Sequence, residues 1–166
     1  FGNTTHSCAH RDQHKEMSIR LSCHVEMDAP SLWQDLSPRI QRLRSDHDTL
    51  TDLGPTSPLH FLGPSPRLPP NSAIRDFAKD LYQPEASAVE TVIRIGKALH
   101  ETMTFDATAT TADTDAADAF RLQRGVCQDF THIMILALQS LGIPSGYVSG
   151  YLRTLPPPGS VKLEGA

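Results

Sequence analysis

Long apolar runs, an excess of basic charge and a paired cysteine framework are all missing from this 166-residue chain. No stretch approaches the roughly 20 apolar residues that a bilayer-spanning helix needs. The N-terminus also lacks the charged-then-apolar order of a secretory signal. A formal net charge of −4 offers no basic field to a nucleic-acid backbone or an anionic membrane, so neither is expected as a partner. The cysteines, Cys8, Cys23 and Cys127, are odd in number and form no disulfide pattern, which makes a reducing, cytoplasmic setting the expectation. Methionine is absent from position 1, where Phe1 stands, and this leaves room for a removed leader or an upstream domain.

What remains is a globular composition, 39% hydrophobic and 20% charged, long enough for one domain or for the end of one and most of another. Residues 1–29 read as the end of a β-rich domain. Met17 to Met27 alternates apolar and polar residues as a half-buried strand does, and Phe1-Gly2-Asn3 signals a turn before it. One or two strands are not stable alone, so further strands are expected upstream. Residues 30–70 are rich in Pro, Ser, Asp and Gly and read as a linker draped over the protein, with one helical turn around Leu32–Leu36.

Residues 71–166 carry the helical periodicity. Ile74, Phe77, Ala78 and Leu81 share one face after Asn71-Ser72. Ser87-Ala88-Val89-Glu90 is a capping box, and Val89, Val92, Ile93, Gly96 and Leu99 continue as its buried stripe. Thr102 to Asp115 reads as an exposed loop, and a short helix bearing Ala119, Phe120 and Leu122 follows. From Cys127 to Leu141 the chain is apolar nearly all round, with 127, 130, 134, 137, 138 and 141 on one face, which marks a helix central to a core. Gly142 caps it, Pro144 stops it, and Gly146 to Leu152 reads as a strand before the Pro156–Gly159 turn.

Arg124-Gly125-Val126-Cys127-Gln128-Asp129-Phe130 sets Cys127 just after a glycine turn and at the head of that helix. Free amide groups and the positive end of the helix dipole favour thiolate, the attacking species in acyl transfer. Arg124 adds positive charge, and Gly125 frees the approach. The competing reading is a cysteine serving as a small core hydrophobe, and the residues alone leave both open. A thiolate nucleophile also needs a base. At about 100° per residue His132 lies roughly 140° around the helix from Cys127 and Asp129 about 200°, so both are read as buried polar groups that fix neighbouring loops. His60 and His100 reach the thiol only if the tertiary fold brings them there.

Gly125 to His132, followed by Leu141-Gly142-Ile143-Pro144 and Tyr147-Val148-Ser149-Gly150-Tyr151-Leu152, resembles the core of the bacterial transglutaminase-like superfamily, often described as candidate cysteine proteases. The order of Phe61–Ser65, Phe77-Ala78 and Thr102–Phe105 is also similar, and residues 1–29 resemble the end of that family's N-terminal β-domain. The resemblance implies an α+β, papain-like transglutaminase core in residues 71–166, with a central helix headed by the cysteine and packed on an antiparallel sheet. It implies Cys127 as nucleophile, and a His and an Asp or Asn on strands beyond Ala166. On that expectation the chain is a fragment, inactive by itself, which associates with a copy of itself or with a complementing chain through its uncovered core. When complete, the protein would be a cysteine protease, an amidase or a transglutaminase-like acyltransferase acting on a peptide or protein amide. Half of the oxyanion hole would be the Cys127 amide, the rest a donor from residues 102–106.

Two other readings stand beside this one. A transglutaminase-like module that has lost its base would serve binding or assembly. His6, Cys8 and His10 share one face of a strand, with His14, Cys23 and His24 nearby in sequence, and imidazole with thiolate suits zinc. Their spacing matches no compact zinc motif, so no metal or other cofactor is expected. Trp33 and Tyr151 are read as packing residues, and Asp113, Asp115 and Asp118 as a solvated loop and helix start.

Overall fold

The structure, a computed structural model, describes Ser7, Ala9 and residues 11–18 and 34–150. Residues 35–149 form one unit, and every helix and strand described lies in it; residues 1–34 and 150–166 make up the other. The strand read over Met17–Met27 and the turns at Phe1–Asn3 and Pro156–Gly159 lie largely or wholly outside the described residues.

Local capping chemistry fixes two of the helices. Asn71 Oδ1 accepts the amide of Ile74 at 3.0 Å and starts α2, Ser72–Leu81. The capping box at Ser87 starts α3, Ala88–Thr102: Ser87 Oγ accepts from the Glu90 amide at 3.0 Å, and Glu90 Oε2 accepts from the Ser87 amide at 2.8 Å. Ser87 Oγ also donates to Asp35, whose carboxyl is held below its ordinary value first by the Ser37 hydroxyl and then by that of Ser87. Pro38 O takes the Ala88 amide at 2.9 Å, so the start of the unit is stitched onto this cap.

The proline-rich segment contains α1, Ile40–Asp48, and a 3₁₀ turn at Pro58–Phe61, whereas Gln34–Leu36 is not helical. α1 escapes a reading by periodicity because Ile40 is its one fully buried side chain. The chain then runs through α2 and α3 to β1 (Thr104–Phe105), α4 (Ala116–Leu122), β2 (Arg124–Gly125) and α5 (Cys127–Ser140). β1 and β2 are parallel, Thr104 opposite Arg124 and Phe105 opposite Gly125. The antiparallel sheet expected on the central helix is thus not what the described strands form. A loop and α4 intervene between the two strands and return the chain to the same end, which imposes the parallel sense.

α5 packs against α2, α3 and α4, and Ile133 and Ala137 are completely enclosed in the core with Ile74, Ala78, Ile95 and Ala119. Its expected face is buried in the C-terminal half, at Ala137, Leu138 and Leu141, whereas Phe130 and Met134 are half-buried and Cys127 is exposed; Asp129, His132, Ile133 and Leu136 also face inward. α3 is rotated from its expected face: its buried stripe is Ala88, Thr91, Ile95 and Leu99, and Ile93 is exposed. Thr91 can go inside because its hydroxyl donates to Ser87 O at 2.9 Å. An open groove of about 460 Å³ runs between α3 and α5, lined by Val92, Gly96, Phe130, Thr131, Met134 and Leu138 among others.

A Schellman motif ends α5. Gly142, at φ 82°, gives its amide to Gln139 O at 2.9 Å, and the Ile143 amide reaches Leu138 O at 3.0 Å. Arg44 of α1 donates Nε and Nη2 to Leu141 O at 2.9 and 2.7 Å. Beyond it, residues 146–150 form no ladder, although a strand was expected there. Ser87→Ala is expected to lower unfolding free energy by about 1 kcal/mol, measured by urea denaturation of the folded protein; an unchanged midpoint would show that the α3 cap is dispensable.

Candidate active site

α4 ends on Gln123 in the left-handed region (φ 52°), a tight reversal that feeds the chain into β2. Val126 is extended at φ −106° and serves as N-cap of α5, so Cys127 is the first residue of the helix. The thiol is exposed and not in a disulfide. Valine carries no acceptor for a helix amide, so only the reciprocal half of a capping box operates: Asp129 Oδ2 accepts the Val126 amide at 2.8 Å.

Asp129 is 0% exposed. The same Oδ2 also accepts from the Thr110 hydroxyl at 2.6 Å, and Oδ1 is buried with no hydrogen-bond partner among the described residues. Its carboxylate sits against the α-carbon of Gly125, where an added Cβ would lie 2.5 Å from Oδ2. Glycine is therefore required by close approach. The expectation that Asp129 fixes a neighbouring loop agrees with this geometry, and its partner is Thr110.

The segment expected to offer an oxyanion donor pairs by its backbone with the strand that precedes Cys127. Thr104 N–H reaches Gln123 O at 2.9 Å and Asp106 N–H reaches Gly125 O at 3.0 Å, which aligns residues 104–106 with the strand leading to Cys127. Those two amides are engaged in the ladder. Arg124 pairs with Asp106 at 3.7 Å across it, an exposed contact. The Asp106 carboxyl is held below its ordinary value mainly by the Thr108 amide and hydroxyl, with Arg124 a smaller influence.

The following loop was missed by sequence reasoning as part of the site. Gln128 Nε2 donates to Ala112 O at 3.1 Å, and the Arg67 guanidinium gathers the carbonyls of Ala112, Asp113 and Thr114, the last two at 3.4 and 3.5 Å. The two residues that follow Cys127 thus both bind this loop, Gln128 at Ala112 and Asp129 at Thr110. No spacing rule links positions 19 residues apart, so the signal was absent from local pattern.

Among the described residues no histidine is hydrogen-bonded to the thiol. His132 is buried in α5 with its ring 5.5 Å from that of Tyr147. Burial, and then the charge of Arg67, hold its imidazole below the ordinary 6.5, while Asp129 pulls the other way. His60 Nε2 meets the carbonyls of Leu53 and Gly54 at 3.2 and 3.1 Å, and His100 is exposed in the last turn of α3. Of the residues weighed for zinc, His14 turns Nδ1 to Asp12 O at 3.0 Å, and His6, Cys8, His10, Cys23 and His24 lie outside the described residues. Trp33 and Tyr151 lie outside them too. Asp118 pairs with exposed Arg121 at 3.2 Å, as a solvated helix start does. Among the described residues no three His, Cys, Asp or Glu side chains are grouped to hold a metal, and no helix is long and apolar enough to cross a membrane.

Residues 75–162, more than half of the chain and including the Cys127 turn, match the family described as the transglutaminase-like superfamily. The chain belongs to this superfamily. An uncharacterised protein of Mycobacterium tuberculosis is 33% identical over 93 residues, 56% of this chain and 30% of the relative, and one of Mycobacterium bovis matches to the same extent. One of Mycobacterium leprae is 27% identical over 150 residues, 86% of this chain and 48% of the relative. The matched span is thus less than half the length of these mycobacterial relatives. A crystal structure of a candidate cysteine protease from Cytophaga hutchinsonii superposes on 52% of this chain and 29% of its own with a TM-score of 0.47 and 26% identity.

Gly125→Ala is expected to displace the Asp129 carboxylate and to cost about 1–3 kcal/mol of stability, read as a lower urea midpoint. Protonation of His132 gives a second expectation. Because its folded-state pKa lies below 6.5, the unfolded chain takes up the proton first as pH falls, so stability is full above about 6.5 and declines below it. The depressed carboxyls of Asp35, Asp76 and Asp106 lose their contributions only at lower pH, near and below 3.8. Melting temperature should therefore drop between pH 7 and 5 in the native protein, and His132→Gln should flatten that slope; equal slopes would refute the assignment.

Proposed function

We propose that the protein of which this chain is part performs thiol-dependent acyl transfer at amide bonds, with Cys127 as nucleophile. The observation that carries the reading is the exposed thiol on the first residue of α5, within a chain of the transglutaminase-like superfamily. Free amides at a helix N-terminus stabilise negative charge on the thiolate and then on the oxygen of a tetrahedral intermediate. Thiolate sulfur attacks the amide carbonyl carbon; the C–N bond breaks, the amine leaves with a proton delivered by an imidazolium, and a thioester remains on Cys127. Water or a second amine then attacks the thioester and regenerates the thiol. Water as acceptor makes a protease or amidase, an amine a transglutaminase-like acyltransferase.

The imidazole and its Asp or Asn partner are proposed to come from residues outside the described unit. His132, His60 and His100 are all engaged or placed elsewhere, and the relatives extend well beyond the matched span. Those residues are also proposed to supply an antiparallel sheet over the open α3–α5 groove, whose apolar lining would otherwise favour association with another chain. A base-less binding or assembly module is the second reading, favoured by the lack of any histidine hydrogen-bonded to Cys127 among the described residues.

Iodoacetamide labelling near neutral pH, followed residue by residue by mass spectrometry in the full-length protein, separates the two. The enzyme reading expects Cys127 to label stoichiometrically and much faster than Cys8 or Cys23. It also expects Cys127→Ser to reduce amide turnover by about 10³-fold or more and the 166-residue chain alone to turn over nothing. Equal, slow labelling of all three cysteines in the full-length protein would leave the binding module.

A further inference from the structure

We infer that Asp129 is a positioning residue for Cys127, which locks the nucleophile's turn to the 106–115 loop; this rests on the acyl-transfer reading. A single carboxylate oxygen joins the two. Oδ2 accepts from the Val126 amide at 2.8 Å, the residue immediately before Cys127, and from the Thr110 hydroxyl at 2.6 Å. The carboxylate packs directly on Gly125, where even a methyl group would overlap it. Gln128, the residue after Cys127, donates to Ala112 O, and Arg67 binds the carbonyls of the same loop. The loop therefore sets the direction of the β2–α5 turn, and with it the direction in which Cys127 presents its amide and its sulfur.

The unpartnered Oδ1 separates this role from ordinary core filling. A carboxylate enclosed with one oxygen unsatisfied carries a desolvation penalty that an apolar side chain of similar size avoids. What offsets the penalty is at the other oxygen. Both of its bonds are charge-assisted, and negative charge in the first turn of α5 is favoured by the helix dipole. The strength is concentrated on the two groups that orient Cys127. Asp129 does not touch the reacting atoms and acts through Val126 and Thr110.

The test measures iodoacetamide labelling of Cys127 across pH 5–9 in folded full-length protein, well below each variant's melting temperature, with Cys8 and Cys23 as internal references. Asp129→Ala is expected to slow Cys127 labelling about fivefold, the equivalent of a lost helix cap, and to move the pH–rate profile to higher pH. Asp129→Asn, which keeps an acceptor for the Val126 amide, should restore most of that rate. Thr110→Val should slow labelling in the same direction and Thr110→Ser should return it to the native rate. The Thr110 pair keeps the test decisive if Asp129→Ala does not fold. A native Cys127 rate in folded Asp129→Ala, with only the melting temperature lowered, overturns the positioning role. A native rate in Thr110→Val overturns the coupling to the loop. Failure of the acyl-transfer reading appears separately, as native Cys127 labelling no faster than Cys8 and Cys23.

Discussion

Enclosing the long apolar helix α5 is the constraint on which the other elements depend. α2, α3 and α4 each lay a face against it, and Ile133 and Ala137 at its centre have no exposed surface. Fourteen residues of helix, mostly apolar, bury far more than any other element here. The consequence is that polar residues on the same face are taken inside with them. Asp129 and His132 are buried for this reason, and each meets the cost differently. Asp129 keeps two strong donors on one oxygen, while His132 has its charged form disfavoured by burial and lies beside an aromatic ring.

The placement of the thiol follows from where that enclosure stops. The buried face of α5 leaves Cys127 at its exposed N-terminal end, with a parallel pair of short strands and a polar loop arranged around the entry. The strands hold the entry by backbone bonds, and the loop is held by side chains from two separate parts of the chain, Arg67 and the adjacent pair Gln128 and Asp129. A rigid helix end presented by such a frame is the kind of support that a nucleophile needs to keep its geometry through a reaction.

Legibility in the sequence followed the range of the interactions involved. Asn71, the Ser87–Glu90 box and Gly142 act on amides and carbonyls within a few residues, and the helices they delimit were readable as such. The position of Cys127 at the head of α5 was readable because the glycine turn and the apolar helix adjoin it. α1 was not, since Ile40 is its only fully buried side chain and, Leu43 apart, the rest of it is charged or polar. The inward face of α5 was legible in part: Asp129 and His132 read as buried polar groups and are buried, but the residues that make room for them, Thr110, Gly125 and Tyr147, are brought to them by the fold. The expected strand after Gly146 rested on local composition between a helix stop and a turn signal, which says nothing about whether a neighbouring strand is there to pair with it.

The Arg44 guanidinium on the carbonyl of Leu141 joins positions 97 residues apart. A nine-residue helix is too short to persist by itself in water, and α1 has little apolar surface to hold it down. Its anchor exists only after α5 has wound to its end and Gly142 has turned the chain. The bond clasps the carbonyl end of the central helix from outside, at the end of α5 opposite the one that bears Cys127.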